Sequence, residues 1–241
     1  MIFYCYAWQI MTMIAANLQQ VHQRIADACR AAGRPTDAVR LLAVSKTFGA
    51  SAVRDAVAAG QRAFGENYIQ EGVEKATELA GLGLEWHCIG PVQSNKTRLV
   101  ATHFDWVHSV DRLKIAQRLS EQRPPELPPL QVCMQVNIDG GPTKAGVPPD
   151  EALALARAVA ALPRLQLRGL MTLPEPAASF DEACGPHRAA RSLMDQLNAA
   201  GLALDTLSMG MTSDLEAAIH CGSTMVRVGT AVFGGRHYPA P

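Results

Sequence analysis

From Ile14 the apolar residues Ile14, Leu18, Val21, Ile25 and Ala28 recur at helical spacing, and Gly33 and Pro35 end the pattern. This predicts a leading amphipathic helix. The run LLAVS (41–45) is then continuously apolar, as a short strand is when both its faces are buried. After it, helix-like and strand-like segments alternate. Strands are expected at RAFGE (62–66), LEWHCIG (84–90), FDWVHSV (104–110), LQVCMQVNI (130–138), LQLRGLMTL (165–173), LDTLSMG (204–210) and TMVRVGT (224–230). Helices are expected over 50–59, 67–80, 94–102, from a cap at Asp111 to the break at RPPELPP (123–129), from Asp150 to Leu162, from Phe180 to Ala200 and over 214–220.

Eight apolar runs, seven of them followed by a helix, predict an α/β chain folded as a single (β/α)₈ TIM barrel with a leading N-terminal helix. An open Rossmann-type sheet would need a Gly-rich turn after the first strand, and SKTFGAS contains no G-x-G-x-x-G. A length of 241 residues suits one barrel domain, assigned to 13–241. Residues 1–12, MIFYCYAWQIMT, lack the basic start of a secretory signal and are too short to span a bilayer. They are read as a non-functional extension before a start at Met11 or Met13, with a membrane-surface anchor as the alternative.

Lysine plus arginine and aspartate plus glutamate balance at 22 each, so no global field draws the chain to nucleic acid or a membrane. Six cysteines lie scattered without a C-x-x-C pair, which argues against zinc or a disulfide framework and suits a reducing compartment. No metal is expected.

Of five lysines, Lys46 alone directly follows a buried strand. In a barrel that is the face where active sites are built. Partial burial there favours the free amine, which can attack an aldehyde. A lysine snorkelling to solvent is the alternative on position alone. The other four are expected to be solvated. Barrels commonly bind phosphate in the loops after strands seven and eight, here SMGMTSD (208–214) and RVGTAVFGG (227–235). Ser208, Thr212, Gly229 and Thr230 are the candidate ligands, and both loops on one rim with Lys46 point to a phosphorylated aldehyde. Arg227, within an apolar strand, needs an acceptor: a buried carboxylate or a pyridine nitrogen of the ligand. Arginine keeps its proton, so such a ring nitrogen would stay unprotonated. Asn67 is either a cofactor ligand or a helix cap, His87 reads as a core histidine, and Lys144 as solvated.

The segments AVSKT (43–47), FGENYIQE (64–71), WHCIGPVQSNK (86–96), RGLM (168–171), LSMGM (207–211) and MVRVGTAVFG (225–234) together resemble the YggS/PROSC family of pyridoxal phosphate homeostasis proteins, over nearly the whole chain from about Met11 to Tyr238. The resemblance implies the alanine racemase-like barrel (fold-type III) and pyridoxal 5′-phosphate (PLP) as a Schiff base on Lys46. It also implies phosphate contacts at Ser208, Gly229 and Thr230, Arg227 facing the pyridine nitrogen, and Asn67 in the cofactor site. It implies a cytoplasmic monomer that carries PLP, with apo-PLP enzymes as recipients. Two positions depart from the family: Gly141, where an acidic residue often precedes the lysine of the N-x₆-K-x-G loop, and Thr212, where serine is common.

Activity can be argued from chain length. A racemase needs a base on each face of its amino acid, and the alanine racemase-like enzymes bring one from a second domain. This chain runs about a dozen residues past the eighth strand. With an unprotonated ring nitrogen slowing carbanion formation as well, a non-enzymatic carrier or regulator is expected, with a racemase-like enzyme as the alternative. An aldolase-type barrel using Lys46 on a phosphorylated sugar is the third reading.

Overall fold

The computed structural model describes residues 2–141 and 144–235, with side chains from Met13 onward. Eight parallel strands close into a barrel in sequence order: β1 (Arg40–Val44), β2 (Ala63–Glu66), β3 (Glu85–Cys88), β4 (Trp106–Val110), β5 (Leu130–Gln135), β6 (Leu165–Met171), β7 (Thr206–Ser208) and β8 (Met225–Val228). β2 to β8 each lie within the segment expected from their apolar runs, and β1 begins one residue before its run, at Arg40. β1 closes the ring by pairing with β8, Leu42 level with Arg227, and with β2, Val44 level with Gly65.

The helices are α1 (Ile2–Ala31), α2 (Ala50–Ala58), α3 (Ile69–Glu78), α4 (Thr97–His103), α5 (Leu113–Gln122), α6 (Ala152–Ala160), α7 (Phe180–Ala199), α8 (Leu215–His220) and α9 (Thr230–Phe233). Ser179 caps α7, its side chain accepting from the Glu182 N–H at 3.3 Å. The expected cap at Asp111 is not formed. Arg112 occupies the N-cap of α5, and the Asp111 carboxylate accepts from that arginine at 2.9 Å instead. Asp150 likewise lies outside α6, whose N-cap is Glu151. The single turn α9 was not expected, because four residues are too few to show a helical period.

That short turn explains the place of α1. In this barrel the element after β8 is too small to cover the gap between α8 and α2, and α1 packs against α2, α8 and α9 to fill it. Its stripe Ile14, Leu18, Val21 and Ile25 is buried to within a few per cent, worth roughly 1.5–3 kcal/mol per large side chain. Asn17 fastens the join, its amide donating to the Val232 carbonyl at 3.0 Å. The helix backbone continues through residues expected to be an extension.

Strand alternation divides the side chains between the helix layer and the barrel lumen. Leu41, Ala43, Phe64 and Val107 join the core beneath the helices. Inside, Leu42, Ala63 and Met225 pack together, and so do Trp106, Cys133 and Met171. Polar side chains of β3, β4, β7 and β8 share this lumen. Gly169 in RGLM permits the closure, since a Cβ there would lie 1.8 Å from the Thr206 carbonyl oxygen of β7.

Candidate functional site

The carboxyl ends of the strands gather the predicted residues at one mouth. Lys46 stands two residues beyond β1 and is half-buried. Its two neighbours are held from the helix side. Lys75, on α3, donates to the Ser45 carbonyl at 2.8 Å and pairs with Glu66 at 2.7 Å and Glu71 at 2.6 Å. Glu66 accepts from the Ser45 hydroxyl at 2.6 Å, and Glu71 accepts from the Thr47 N–H at 2.7 Å. Thr47 has φ +68°, a left-handed conformation that a residue with a Cβ adopts only when its surroundings impose it. Lys75 is thus not the solvated amine expected. It is 5 % exposed, drawn inside by two carboxylates. Burial pushes the Glu66 carboxyl up, with Lys75 and Ser45 opposing.

Arg227 lies in the lumen, 4 % exposed. The buried carboxylate considered from the sequence is not among its partners. It donates to the Ser208 hydroxyl at 2.8 Å and the Thr172 carbonyl at 2.8 Å, and also to the Ser208 carbonyl. Burial lowers its pKa to about 10, so it remains a cation. Ser208 was expected to hold phosphate, but it is wholly buried, its hydroxyl engaged by Arg227 and by His108 Nδ1 at 2.8 Å. Its place is behind Arg227, below the rim.

The remaining phosphate candidates are at the rim. Gly229 and Thr230 open α9, whose first N–H groups have no partner within the helix. Gly229 packs on β1, and a Cβ there would come 3.2 Å from the Val44 carbonyl oxygen, two residues before Lys46. Thr212 is half-buried in the turn before α8, its carbonyl accepting from Arg24 of α1 at 3.1 Å. That turn is tightly built. Gly210 has φ +94°, and the Asp214 carboxylate accepts from the Met211 N–H at 2.7 Å and meets His187 at 3.0 Å.

Asn67 follows β2 on the inward register, and Gly90 lies against it: a Cβ on Gly90 would be 2.1 Å from the Asn67 carbonyl oxygen. Asn67 makes no cap, since Tyr68 is the N-cap of α3. Among the described residues, Asn67 Oδ1, Thr172 Oγ1 and Asn137 Oδ1 are buried without a hydrogen-bond partner. All three follow the carboxyl ends of their strands. Unsatisfied buried oxygens are costly, and their grouping at one mouth marks a place built for a polar ligand. Thr172 was not foreseen, because nothing in the polar end of LQLRGLMTL distinguishes it from a solvated threonine.

In the loop after β5, Lys144 is also not solvated. It pairs with Asp139 at 2.8 Å and Glu175 at 3.2 Å and donates to the Leu173 carbonyl at 2.9 Å. Asp139 thus gives Lys144 a carboxylate within a loop that has glycine at 141. His87 is a fully buried histidine with partners on both ring nitrogens, as expected.

Residues 16–237 match the alanine racemase, N-terminal domain family. The chain is 60 % identical over 231 residues to a pyridoxal phosphate homeostasis protein of Pseudomonas aeruginosa, covering 96 % of this chain and 99 % of that protein. It is 53 % identical over 231 residues to the protein of the same name in Escherichia coli K12, covering 95 % and 99 %. The solved structure of PipY from Synechococcus elongatus with PLP bound superposes with a TM-score of 0.81 at 37 % identity, over 92 % of this chain and all of that one.

Proposed function

Because the chain belongs to the pyridoxal phosphate homeostasis proteins, within the alanine racemase N-terminal domain family, we propose that it binds PLP at the barrel mouth and serves as a carrier and regulator of that cofactor. The observation that carries this reading is the combination at one rim of Lys46, the buried Arg227 and the unpartnered oxygens of Asn67 and Thr172. Together they suit a ligand with an aldehyde, a polar aromatic ring and an anion.

Bound there, PLP would supply an electrophilic aldehyde, and Lys46 would hold it through its amine. The clamp on Ser45 and Thr47 orients that amine. The first N–H groups of α9 at Gly229 and Thr230, with the Thr212 turn, receive the phosphate. Arg227 donates toward the ring nitrogen, and Ser208 supports Arg227. A ring nitrogen facing a donor stays unprotonated and is a weak electron sink, which suits storage over turnover.

The protein acts as a cytoplasmic monomer and passes PLP to apo-enzymes, and residues 1–12 take no part. Among the described residues no helix is long and apolar enough to cross a membrane. The test is the absorbance spectrum of the chain with PLP beside that of Lys46→Ala. The wild type is expected to show a Schiff-base band that the variant lacks. Borohydride reduction and peptide mapping should label Lys46, and a label on another side chain overturns the assignment. D-isomers formed from L-amino acids faster than with free PLP would replace the carrier by a racemase.

A further inference from the structure

Beneath the mouth, one file of hydrogen bonds crosses the lumen. Arg227 Nη1 donates to Ser208 Oγ at 2.8 Å, and Ser208 Oγ lies 2.8 Å from His108 Nδ1. His108 Nε2 lies 2.9 Å from His87 Nδ1, and His87 Nε2 lies 2.7 Å from Glu85 Oε1. Ser208, His108 and His87 have no exposed surface. The file thus links β8, β7, β4 and β3, from the Lys46 end of the barrel to the first residue of β3 at the opposite end.

With both imidazoles neutral, the two termini determine where every proton sits. A guanidinium only donates and a carboxylate only accepts. Ser208 Oγ therefore accepts from Arg227 and gives its own proton to His108 Nδ1. His108 then carries its proton on Nε2 and donates to His87 Nδ1, and His87 carries its proton on Nε2 and donates to Glu85. Both imidazoles are neutral. Burial, with His87 and Arg227 nearby, holds His108 well below the ordinary range. Burial also lowers His87, against the pull of Glu85. Glu85 accepts from Arg40 at 2.8 Å and borders a cleft of about 270 Å³ with Asp105, Trp106, Arg123 and Gln131.

We propose that His87 and His108 are positioning residues for Arg227: the file orients the guanidinium toward the cofactor ring and ties that orientation to Glu85 on the far face of the barrel. The proposal rests on the reading that PLP occupies the mouth. It gives the lumen histidines a task that packing alone would not require, since apolar side chains of similar size would fill the same space.

The test separates the two readings. In the full chain without PLP, ¹⁵N imidazole spectra should show His87 and His108 as neutral Nε2–H tautomers between about pH 5 and 8. A proton on Nδ1 of either ring, or titration in that window, overturns the file. Glu85→Ala removes the accepting end. In that variant the Arg227 guanidinium resonances should shift, the bound-PLP absorbance maximum should move and PLP affinity should fall about tenfold. Glu85→Gln, which keeps an accepting oxygen, should restore all three. Unchanged Arg227 resonances in Glu85→Ala overturn the proposal whatever PLP does. Should Glu85→Ala fail to fold by circular dichroism, Ser208→Ala against Ser208→Thr decides: the hydroxyl-bearing variant must retain the Arg227 resonances that the other loses. A wild-type chain that takes up no PLP defeats the functional reading, and the spectra of the free protein then decide the file alone.

Discussion

Lys46 and Arg227 stand on neighbouring strands at one mouth, and opposite kinds of structure hold them. The Lys46 segment is clamped from the helix side by a lysine and two acidic side chains that share oxygens of Glu66 and Glu71. Arg227 is fastened in the lumen by two carbonyls and a hydroxyl, behind which two neutral rings follow in series. The difference follows from access to counter-charge. Between α3 and the barrel wall, acidic residues from two elements can surround an amine. In the lumen a second charge would need its own partners, and a file of neutral donors and acceptors meets the same demand without one.

Breaking the charged clamp should have the largest effect. Lys75→Met leaves Glu66 buried without its cation and is expected to cost about 3–5 kcal/mol of stability, read by urea unfolding, with lowered PLP uptake. A loss below 1 kcal/mol, by the same scale for exposed pairs, would mean that the clamp is a surface feature.

Acid should then separate the two regions by sign. The Glu85 carboxyl is held down from 4.5 to about 2 by His87 and Arg40, which outweigh the upward push of burial. A depressed carboxyl contributes stability above its unfolded pKa and loses it as the pH falls through the folded one. Compared with Glu85→Gln, the wild type should therefore lose at most about 3 kcal/mol between pH 4.5 and 2. Glu66 is raised, so its contribution is complete below the unfolded pKa and is lost as the pH rises through the folded value. Glu66→Gln should remove that loss. Denaturation midpoints for both variants, read below pH 4.5 for Glu85 and above it for Glu66, check the opposition, and parallel curves would erase the distinction.

A smaller effect is expected from Gly90→Ala, whose methyl would collide with the Asn67 backbone. About 1–3 kcal/mol should be lost, together with PLP affinity, as calorimetry and titration would show. The mildest change is Thr47→Gly, where relief of the left-handed backbone and the entropy of glycine oppose each other. Stability should change by less than about 1 kcal/mol, and a larger loss in urea would reveal a role for the threonine side chain.

The barrel was legible because strands buried on both faces leave unbroken apolar runs; Lys46 was placed at the mouth because it directly follows such a run, and Arg227 in the lumen because it lies within one. The partners that hold them were hidden by their separation in the chain. Lys75 reads as one more polar residue of α3, and only the fold brings it under Ser45, 30 positions earlier. His108 was overlooked inside FDWVHSV, since its partner Ser208 lies 100 positions away. The same distance made Ser208 look like a phosphate ligand, because a serine in a loop-like context shows no sign of a histidine across the lumen. Lys144 was misread for the converse reason: its loop looks polar, and the carboxylates that claim it include Glu175 from beyond β6.

The seam between β1 and β8 sets a timetable for synthesis. Lys46 is made about 180 residues before Arg227, Gly229 and Thr230. On the proposed reading, a nascent chain therefore exposes the Lys46 amine well before it can grip an anion or a ring. Chains stalled before β8 should then remain colourless however much PLP surrounds them.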